Sequence, residues 1–144
     1  MAKKVRTEET QQNIQEKYLE YQTLEQQTKQ LQEQLQTVAK QLEELEGISD
    51  AIQRIEQTPK GTEILVPLSS GIFLKTALQE TSHLLVNVGD NVVVSKSFAD
   101  AGVLINKQKQ DIELFQENLV KNFQLMTMHQ QRIEAELLSM VQED

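Results

Sequence analysis

Hydrophobic residues recur every seven positions in the first third of the chain. Leu24, Leu31 and Val38 begin one row, and a second row lies three residues before it. Steps that alternate between three and four residues place apolar side chains on one narrow helical stripe, as in a coiled-coil seam. The pattern predicts a coiled-coil helix over residues 7–57, which must end before Pro59 because proline lacks the amide donor. Its two rows are Leu24, Leu31, Val38, Leu45, Ile52 and Tyr21, Thr28, Leu35, Leu42.

A second proline-free stretch carries another row at seven-residue spacing near the end of the sequence. Ser97 and Asp100 precede this row in the arrangement of a helix N-cap, in which a hydroxyl accepts a hydrogen bond from a first-turn amide. Its companion row is weaker, since Phe115 lies three residues after one seam residue, whereas Phe123 and Leu137 lie four residues after others. We therefore predict a second coiled-coil helix over residues 99–142. Its seam residues are Ile105, Ile112, Leu119, Met126, Ile133 and Met140.

The segment between the helices, residues 58–98, has β-branched runs, alternating apolar positions and closely spaced turn residues. These features predict four short strands in two β-hairpins, with turns at residues 69–71 and at Gly89-Asp90. Four short strands have unpaired edges and too little material for an independent core. We therefore expect them to contact other subunits through Ile64, Val66, Leu68, Ile72, Leu74, Leu84, Val86, Val92 and Val94, while Leu65, Phe73, Leu85 and Val93 lie on the opposite faces.

Together the three zones predict a mainly α fold with a small β part. The two helices pair as a long antiparallel coiled coil, because a narrow apolar stripe needs a partner helix, and the hairpins are inserted between them. The whole chain, residues 1–144, is interpreted as one domain that assembles into an oligomer. The rods are expected to project from a β platform, with both chain ends at the rod tip.

Apolar residues near that tip are candidates for binding other polypeptides, here called clients, because several lie off the seam and would be exposed. The alternative is that Ile14, Leu137 and Met140 only close the seam. The candidate client-binding residues are Val5, Ile14, Tyr18, Leu19, Leu137, Leu138, Met140 and Val141.

Composition removes several classes of function. A net charge of -8 and a pI of about 4.8 disfavour binding to nucleic-acid phosphates or to anionic membranes. The absence of cysteine excludes disulfides and thiolate metal sites. The polar residues 1–10 have no apolar run behind them, so we expect neither a secretory signal nor a membrane span, and a cytoplasmic location.

Candidate catalytic chemistry is sparse. His83 and His129 are the two histidines, and neither has a carboxylate cluster at ligand spacing nearby. Gly89 has no phosphate-loop pattern around it, and Met126 with Met128 more simply fill a helix seam than bind copper. We therefore predict no catalytic, metal or cofactor site, and a protein that is not an enzyme.

The order helix, two hairpins, helix resembles the α-class subunits of the prefoldin family. The resemblance covers nearly the whole chain and is carried by residues 66–68 (Val-Pro-Leu), 70–71 (Ser-Gly) and Phe73, then by residues 86–89 (Val-Asn-Val-Gly) and 98–101 (Phe-Ala-Asp-Ala). The heptads add little specificity, because any coiled-coil helix would look similar.

The resemblance implies a complex of two α-class and four β-class subunits, with hairpins assembled into a double β-barrel platform and six coiled coils extending from it. It also implies ATP-independent capture of unfolded polypeptides at the coiled-coil tips and their delivery to a group II chaperonin in the cytosol. A coiled-coil scaffold or tether is the main alternative. A periplasmic jellyfish-shaped holdase is a second one, but it would need an export signal.

Overall fold

Two long helices enclose two β-hairpins in the computed structural model, which describes residues 2–79 and 82–142 and, within the first helix, side chains from residue 8 onward. This confirms the predicted fold class. The first helix begins before the predicted residue 7, and the second begins one residue before the predicted residue 99. The elements are α1 (Ala2–Gln57), β1 (Glu63–Ser69), β2 (Ile72–Ala77), β3 (His83–Gly89), β4 (Val92–Ser97) and α2 (Phe98–Gln142).

The chain divides into two compact units. Unit 1 combines Met1–Lys40 with Glu113–Asp144, and unit 2 is Gln41–Ile112. Unit 1 therefore holds a paired segment of each helix, whereas unit 2 holds the hairpins and the adjoining helix ends.

The end of α1 is set by Pro59, as predicted. The backbone amide of Thr58 donates to the carbonyl of Ile55 at 3.0 Å, and its hydroxyl donates to the carbonyl of Arg54 at 2.6 Å. These bonds satisfy two of the carbonyls that a helix end leaves without partners. Gly61 then turns the chain with a φ of 90°, a value that glycine adopts without steric cost.

The start of α2 is capped as the sequence predicts. The hydroxyl of Ser97 accepts a hydrogen bond from the backbone amide of Asp100 at 3.1 Å. The Asp100 carboxylate lies in the first turn, where negative charge interacts favourably with the helix dipole. Phe98 and Ala101 are buried at 5% and 3% exposure, so the first turn is also anchored by packing.

The heptad rows form the apolar core of the helix pair. Every predicted seam residue of both helices is buried or half-buried, and Val38, Leu119 and Ile133 are among the most enclosed. The prediction for Phe115 was wrong, since this side chain is 54% exposed. The companion row of α2 instead runs through half-buried positions four residues after the seam positions, namely Gln116, Phe123, Gln130 and Leu137.

Polar contacts across unit 1 show that its helix segments are antiparallel. The Lys17 ammonium donates to the Glu136 carboxylate, and the Thr28 hydroxyl donates to Oε1 of Gln130 at 3.3 Å. The hydrogen bond from Lys17, aided by its charge, lowers the pKa of Glu136, although partial desolvation opposes the shift. The same hydrogen bond raises the pKa of Lys17. In unit 2, Lys109 pairs with Glu46 at 3.3 Å.

The two hairpins share one register. Val66 pairs with Leu74 in the first hairpin and Val86 with Val94 in the second, and every pair of the first recurs in the second 20 residues later. Both hairpins also contain an irregularity at the equivalent positions, between residues 67 and 69 and between residues 87 and 89. The hairpins are separate two-stranded sheets, so this single chain contains no closed barrel within the described residues.

The turn chemistry of the second hairpin differs from the prediction. Gly89 pairs with Val92, so the two-residue loop is Asp90-Asn91 and not Gly89-Asp90. Asp90 and Asn91 have φ values of 49° and 58°, the left-handed conformation that Asp and Asn tolerate better than other side chains. The Asn87 side chain accepts a hydrogen bond from the Gly89 amide at 3.0 Å and stabilises the approach to the turn.

Proline interrupts only the first hairpin. Pro67 lies within β1, opposite Phe73, and Asn87 occupies the equivalent position in β3. Proline has no N–H and is tolerated in a strand where its nitrogen faces away from the ladder. The outer edge of β1 therefore lacks a donor at mid-strand.

Replacing Ile133 with alanine should destabilise the helix pair strongly. Ile133 is 2% exposed at the centre of the seam, and deleting its side-chain carbons should lower the free energy of unfolding by about 2 to 5 kcal/mol. Urea unfolding followed by circular dichroism would measure the change. Leu138→Ala is the matched control, because Leu138 is 57% exposed on the same helix and should change stability by less than about 0.5 kcal/mol.

The Lys17–Glu136 pair should contribute stability only within a defined pH window. Its contribution is complete above the ordinary carboxyl pKa and is lost as the pH falls through the lowered pKa of Glu136; at alkaline pH it is lost through the raised pKa of Lys17. Lys17→Gln should return the Glu136 pKa towards its ordinary value in a carboxyl NMR titration. Lys121→Gln, which removes the partner of Glu117, is the control; equal effects of the two substitutions would contradict the assignment.

Candidate binding surfaces

The predicted subunit-contact residues of the hairpins are only partly covered by their own chain. Ile64, Leu84 and Val86 are half-buried, whereas Val66 and Val94 are 39% and 38% exposed. The remaining predicted contact residues are more than half exposed, namely Leu68, Ile72, Leu74 and Val92. Within each hairpin, the face that carries Val66 or Val94 is therefore the more shielded of the two.

The opposite faces of the hairpins are apolar and more open. Leu65 and Phe73 are each 57% exposed on the first hairpin, and Leu85 and Val93 are 78% and 56% exposed on the second. Alternation along a strand separates these residues from Val66 and Val86, which point to the other face. These four residues are not among the predicted subunit contacts, although strict alternation along the strands already indicates a second apolar face.

Two apolar faces on one small sheet are unusual for a monomer. Soluble proteins rarely leave a contiguous apolar patch of more than a few hundred Å² uncovered, and larger patches mark interaction sites. A two-stranded hairpin is also marginally stable by itself in water. The hairpins are thus a candidate binding surface, and within the described residues each strand pairs on one side only, which suits contact with other β structure.

The second candidate surface is the tip section of unit 1, defined as residues 8–20 of α1 and 132–142 of α2. The Lys17–Glu136 contact brings these two segments side by side. Four candidate client-binding residues are exposed: Tyr18 at 54%, Leu19 at 62%, Leu138 at 57% and Val141 at 61%.

The other candidate client-binding residues are less available. Ile14, Leu137 and Met140 are half-buried, in keeping with the alternative that they close the seam. The side chain of Val5 lies outside the residues whose side chains are described. The tip section therefore combines a closed seam with four apolar groups directed away from it.

The charged groups of the tip section bridge the helices. Glu20 Oε1 lies 3.2 Å from His129 Nε2, and the Lys17–Glu136 contact lies at the edge of an open groove that Arg132 and Met140 also line. Both pairs are solvent-accessible, and pairs of this kind contribute little to stability. These pairs therefore affect the alignment of the two helix segments more than the stability of their pairing.

Catalytic chemistry has no geometric support among the described residues. His129 pairs with Glu20, and the His83 ring contacts the Ser82 hydroxyl at 2.9 Å on an exposed strand end. Over residues 2–79 and 82–142, no group of three or more metal-binding side chains converges. Across the same residues, neither helix combines the length and the apolar character needed to cross a bilayer.

Comparison with known proteins identifies relatives along most of the chain. The family model described as Prefoldin subunit matches residues 24–143. The prefoldin subunit alpha of Thermofilum pendens is 27% identical over 118 residues, which cover 82% of this chain and 92% of the relative. The prefoldin subunit alpha of Archaeoglobus fulgidus is 25% identical over 131 residues, covering 91% of this chain and 96% of the relative.

The fold also has a solved counterpart. The chain superimposes with a TM-score of 0.71 on the filamentous PFD from Methanocaldococcus jannaschii, determined by cryo-electron microscopy, at 16% identity and over 80% of this chain and 95% of that one. The helix–hairpin–hairpin–helix order and a family match that spans residues 24–143 agree with each other and confirm the resemblance predicted from the hairpin residues. The chain belongs to the prefoldin family.

Proposed function

We propose that this chain is the α-class subunit of an ATP-independent chaperone that holds unfolded polypeptides and passes them to a group II chaperonin. Members of the prefoldin family are chaperone subunits and not enzymes. The observation that carries the proposal is the distribution of exposed apolar side chains, which are most numerous on the hairpins of unit 2 and include Tyr18, Leu19, Leu138 and Val141 in the tip section of unit 1.

The hairpins are the proposed assembly surface. Leu65 and Phe73 on one hairpin and Leu85 and Val93 on the other expose more than half of their surface, and strand edges beside them are unpaired. Covering these groups with strands of neighbouring subunits would satisfy both the apolar faces and the edges. In the proposed complex, two copies of this chain join four β-class subunits, and their hairpins close into β-barrels.

The tip section is the proposed client-binding surface. Tyr18, Leu19, Leu138 and Val141 offer apolar area without a shaped pocket, and burial of apolar surface is non-directional. Such a surface suits clients that share exposed hydrophobic segments but no common sequence. Binding of this kind needs no nucleotide, because association and release depend only on the area that the client exposes.

We propose that residues 1–144 act in the cytoplasm as one domain with two binding regions, the hairpins and the tip section. A chain with no cysteine and a net charge of -8 is suited to a reducing compartment and stays soluble through self-repulsion. A passive scaffold would use the same hairpins for assembly, and aggregation assays with unrelated clients distinguish it from a chaperone.

Charge on the open hairpin faces should prevent assembly. The double substitution Phe73→Lys and Leu85→Lys places two ammonium groups where the proposal needs buried contacts, and an unpaired buried charge is strongly unfavourable. Co-expression with a β-class subunit followed by analytical ultracentrifugation should show loss of the large complex. Ser70→Lys adds charge in a hairpin turn and should leave the complex intact; assembly of the double variant at wild-type levels would refute the interface.

Polar substitutions in the tip section should abolish client holding without affecting assembly. The substitutions Tyr18→Ser, Leu19→Ser, Leu138→Ser and Val141→Ser remove exposed apolar area and leave the buried seam unchanged. We expect suppression of aggregation of at least two unrelated unfolded proteins to fall by about tenfold or more, in assays without ATP.

The matched control for the tip experiment is Ile48→Ser with Val103→Ser. These side chains are 44% and 68% exposed but lie in unit 2, outside the tip section. Their replacement should leave holding activity close to that of the wild type. Full activity in the tip variant would contradict client binding at the tip, and a wild-type complex that ignores unfolded clients would favour the scaffold.

A further inference from the structure

Unit 1 exposes apolar side chains very unequally on its two helix segments. Between residues 8 and 40, Tyr18 and Leu19 are the exposed large hydrophobic side chains. Between residues 113 and 142, the exposed ones are Leu114, Phe115, Val120, Leu125, Met128, Leu138 and Val141. A two-helix coiled coil needs one buried stripe per helix, and α2 has already placed its seam against α1. The additional apolar groups of α2 therefore require a separate explanation.

Three of these side chains lie on one face of α2, remote from the seam. Leu114, Leu125 and Met128 are 60%, 65% and 61% exposed. Steps of three and four residues lead from Leu114 through Glu117 and Lys121 to Leu125 and Met128, so all five side chains share a face. We call this face the α2 strip. It is distinct from the tip section, since none of its residues belongs to residues 132–142.

The area of the α2 strip is too small for a permanent partner. Three aliphatic side chains at this exposure present on the order of 300 Å², whereas a stable interface buries roughly 800 Å² on each partner. The area is also divided, because Leu125 and Met128 adjoin each other whereas Leu114 lies beyond the Glu117–Lys121 ion pair. A partner that uses this strip must gain affinity from additional contacts elsewhere.

Charge in the middle of the α2 strip also argues against a packed helix or sheet partner. Lys121 and Glu117 form an ion pair at 3.9 Å, with exposed fractions of 66% and 62%, between Leu114 and Leu125. The cores of permanent interfaces are depleted of charged residues because desolvating them is costly. A flexible chain of mixed sequence can contact the leucines and leave the ion pair in water. Met128 adds an adaptable surface, as at binding sites for many partners.

We propose that the α2 strip is a second, weak contact site for non-native polypeptide, which binds a client segment while another segment of the same client occupies the tip section. This inference rests on the proposed chaperone function. Linking two weak contacts through one client chain raises the overall affinity without a new strong site. Long clients therefore gain more from the strip than short peptides do.

Site-specific photo-crosslinking in the assembled complex tests this directly. A photoreactive amino acid is placed at position 125 in the strip, at position 138 in the tip section, or at position 36 of α1 as an exposed polar control. The probe is reduced, carboxymethylated α-lactalbumin, which remains unfolded. We expect crosslinks to this probe from positions 125 and 138 and none above background from position 36.

The other crosslinking results would each contradict the proposed strip site. Crosslinks from position 138 alone would overturn the strip and leave the chaperone function standing. Crosslinks from position 125 to another subunit, in place of the probe, would show a subunit interface and also overturn the strip. Failure of the wild-type complex to bind the probe at all would refute the proposed function together with the strip.

A substitution series supplies the quantitative test. Leu114→Gln, Leu125→Gln and Met128→Gln together should weaken binding of the unfolded probe by about three- to tenfold. Binding of a short apolar peptide, which reaches one site only, should not change. Lys29→Gln with Glu33→Gln, at exposed positions of α1 outside both surfaces, is the control and should leave binding of the probe unchanged. Wild-type affinity of the triple variant for the long probe, with helical content and assembly intact, would overturn the proposal.

Discussion

The structure depends on the burial of one narrow apolar seam between two helices. Among the described residues, each helix has only the other helix to pack against, and isolated helices of mixed sequence are marginal in water. The seam supplies nearly all of the buried apolar side chains in the described residues, with Phe98 and Ala101 adding a small anchor at the start of α2. The helices use their seam residues on each other, and the described residues leave large parts of both hairpins exposed. The hairpin faces are exposed because the seam residues face the partner helix.

Much of this fold could be predicted from residue spacing. Heptad rows determine the seam because their period matches the helix, and Ser97, Pro59 and the hairpin turns mark element ends through local chemistry that needs no tertiary information. The companion row of α2 could not be predicted in the same way. Gln116 and Gln130 occupy half-buried positions of this row, but their polar side chains do not match a pattern of apolar residues. Phe115 is apolar and therefore matches the pattern, although its side chain is exposed.

The positions of the hairpin strands could be predicted more easily than the exposure of the side chains on each hairpin face. Alternation gives two faces, but it does not say which face the chain shields, because that depends on packing between distant segments. The half-buried Leu84 and Val86 and the open Leu85 differ by a single position in sequence. The functional surfaces depend on such differences, since a subunit contact and a client contact both require apolar groups that the chain itself leaves uncovered.

Pro67 makes the outer edges of the two hairpins unequal. An open strand edge is a template on which any extended peptide can form a ladder, including the polypeptides that a chaperone must release. Pro67 removes a backbone N–H donor from the middle of β1, whereas Asn87 at the equivalent position of β3 keeps its N–H. The first hairpin is thereby a poor seed for runaway sheet growth. A neighbouring strand can therefore complete a ladder more fully on the outer edge of β3 than on that of β1.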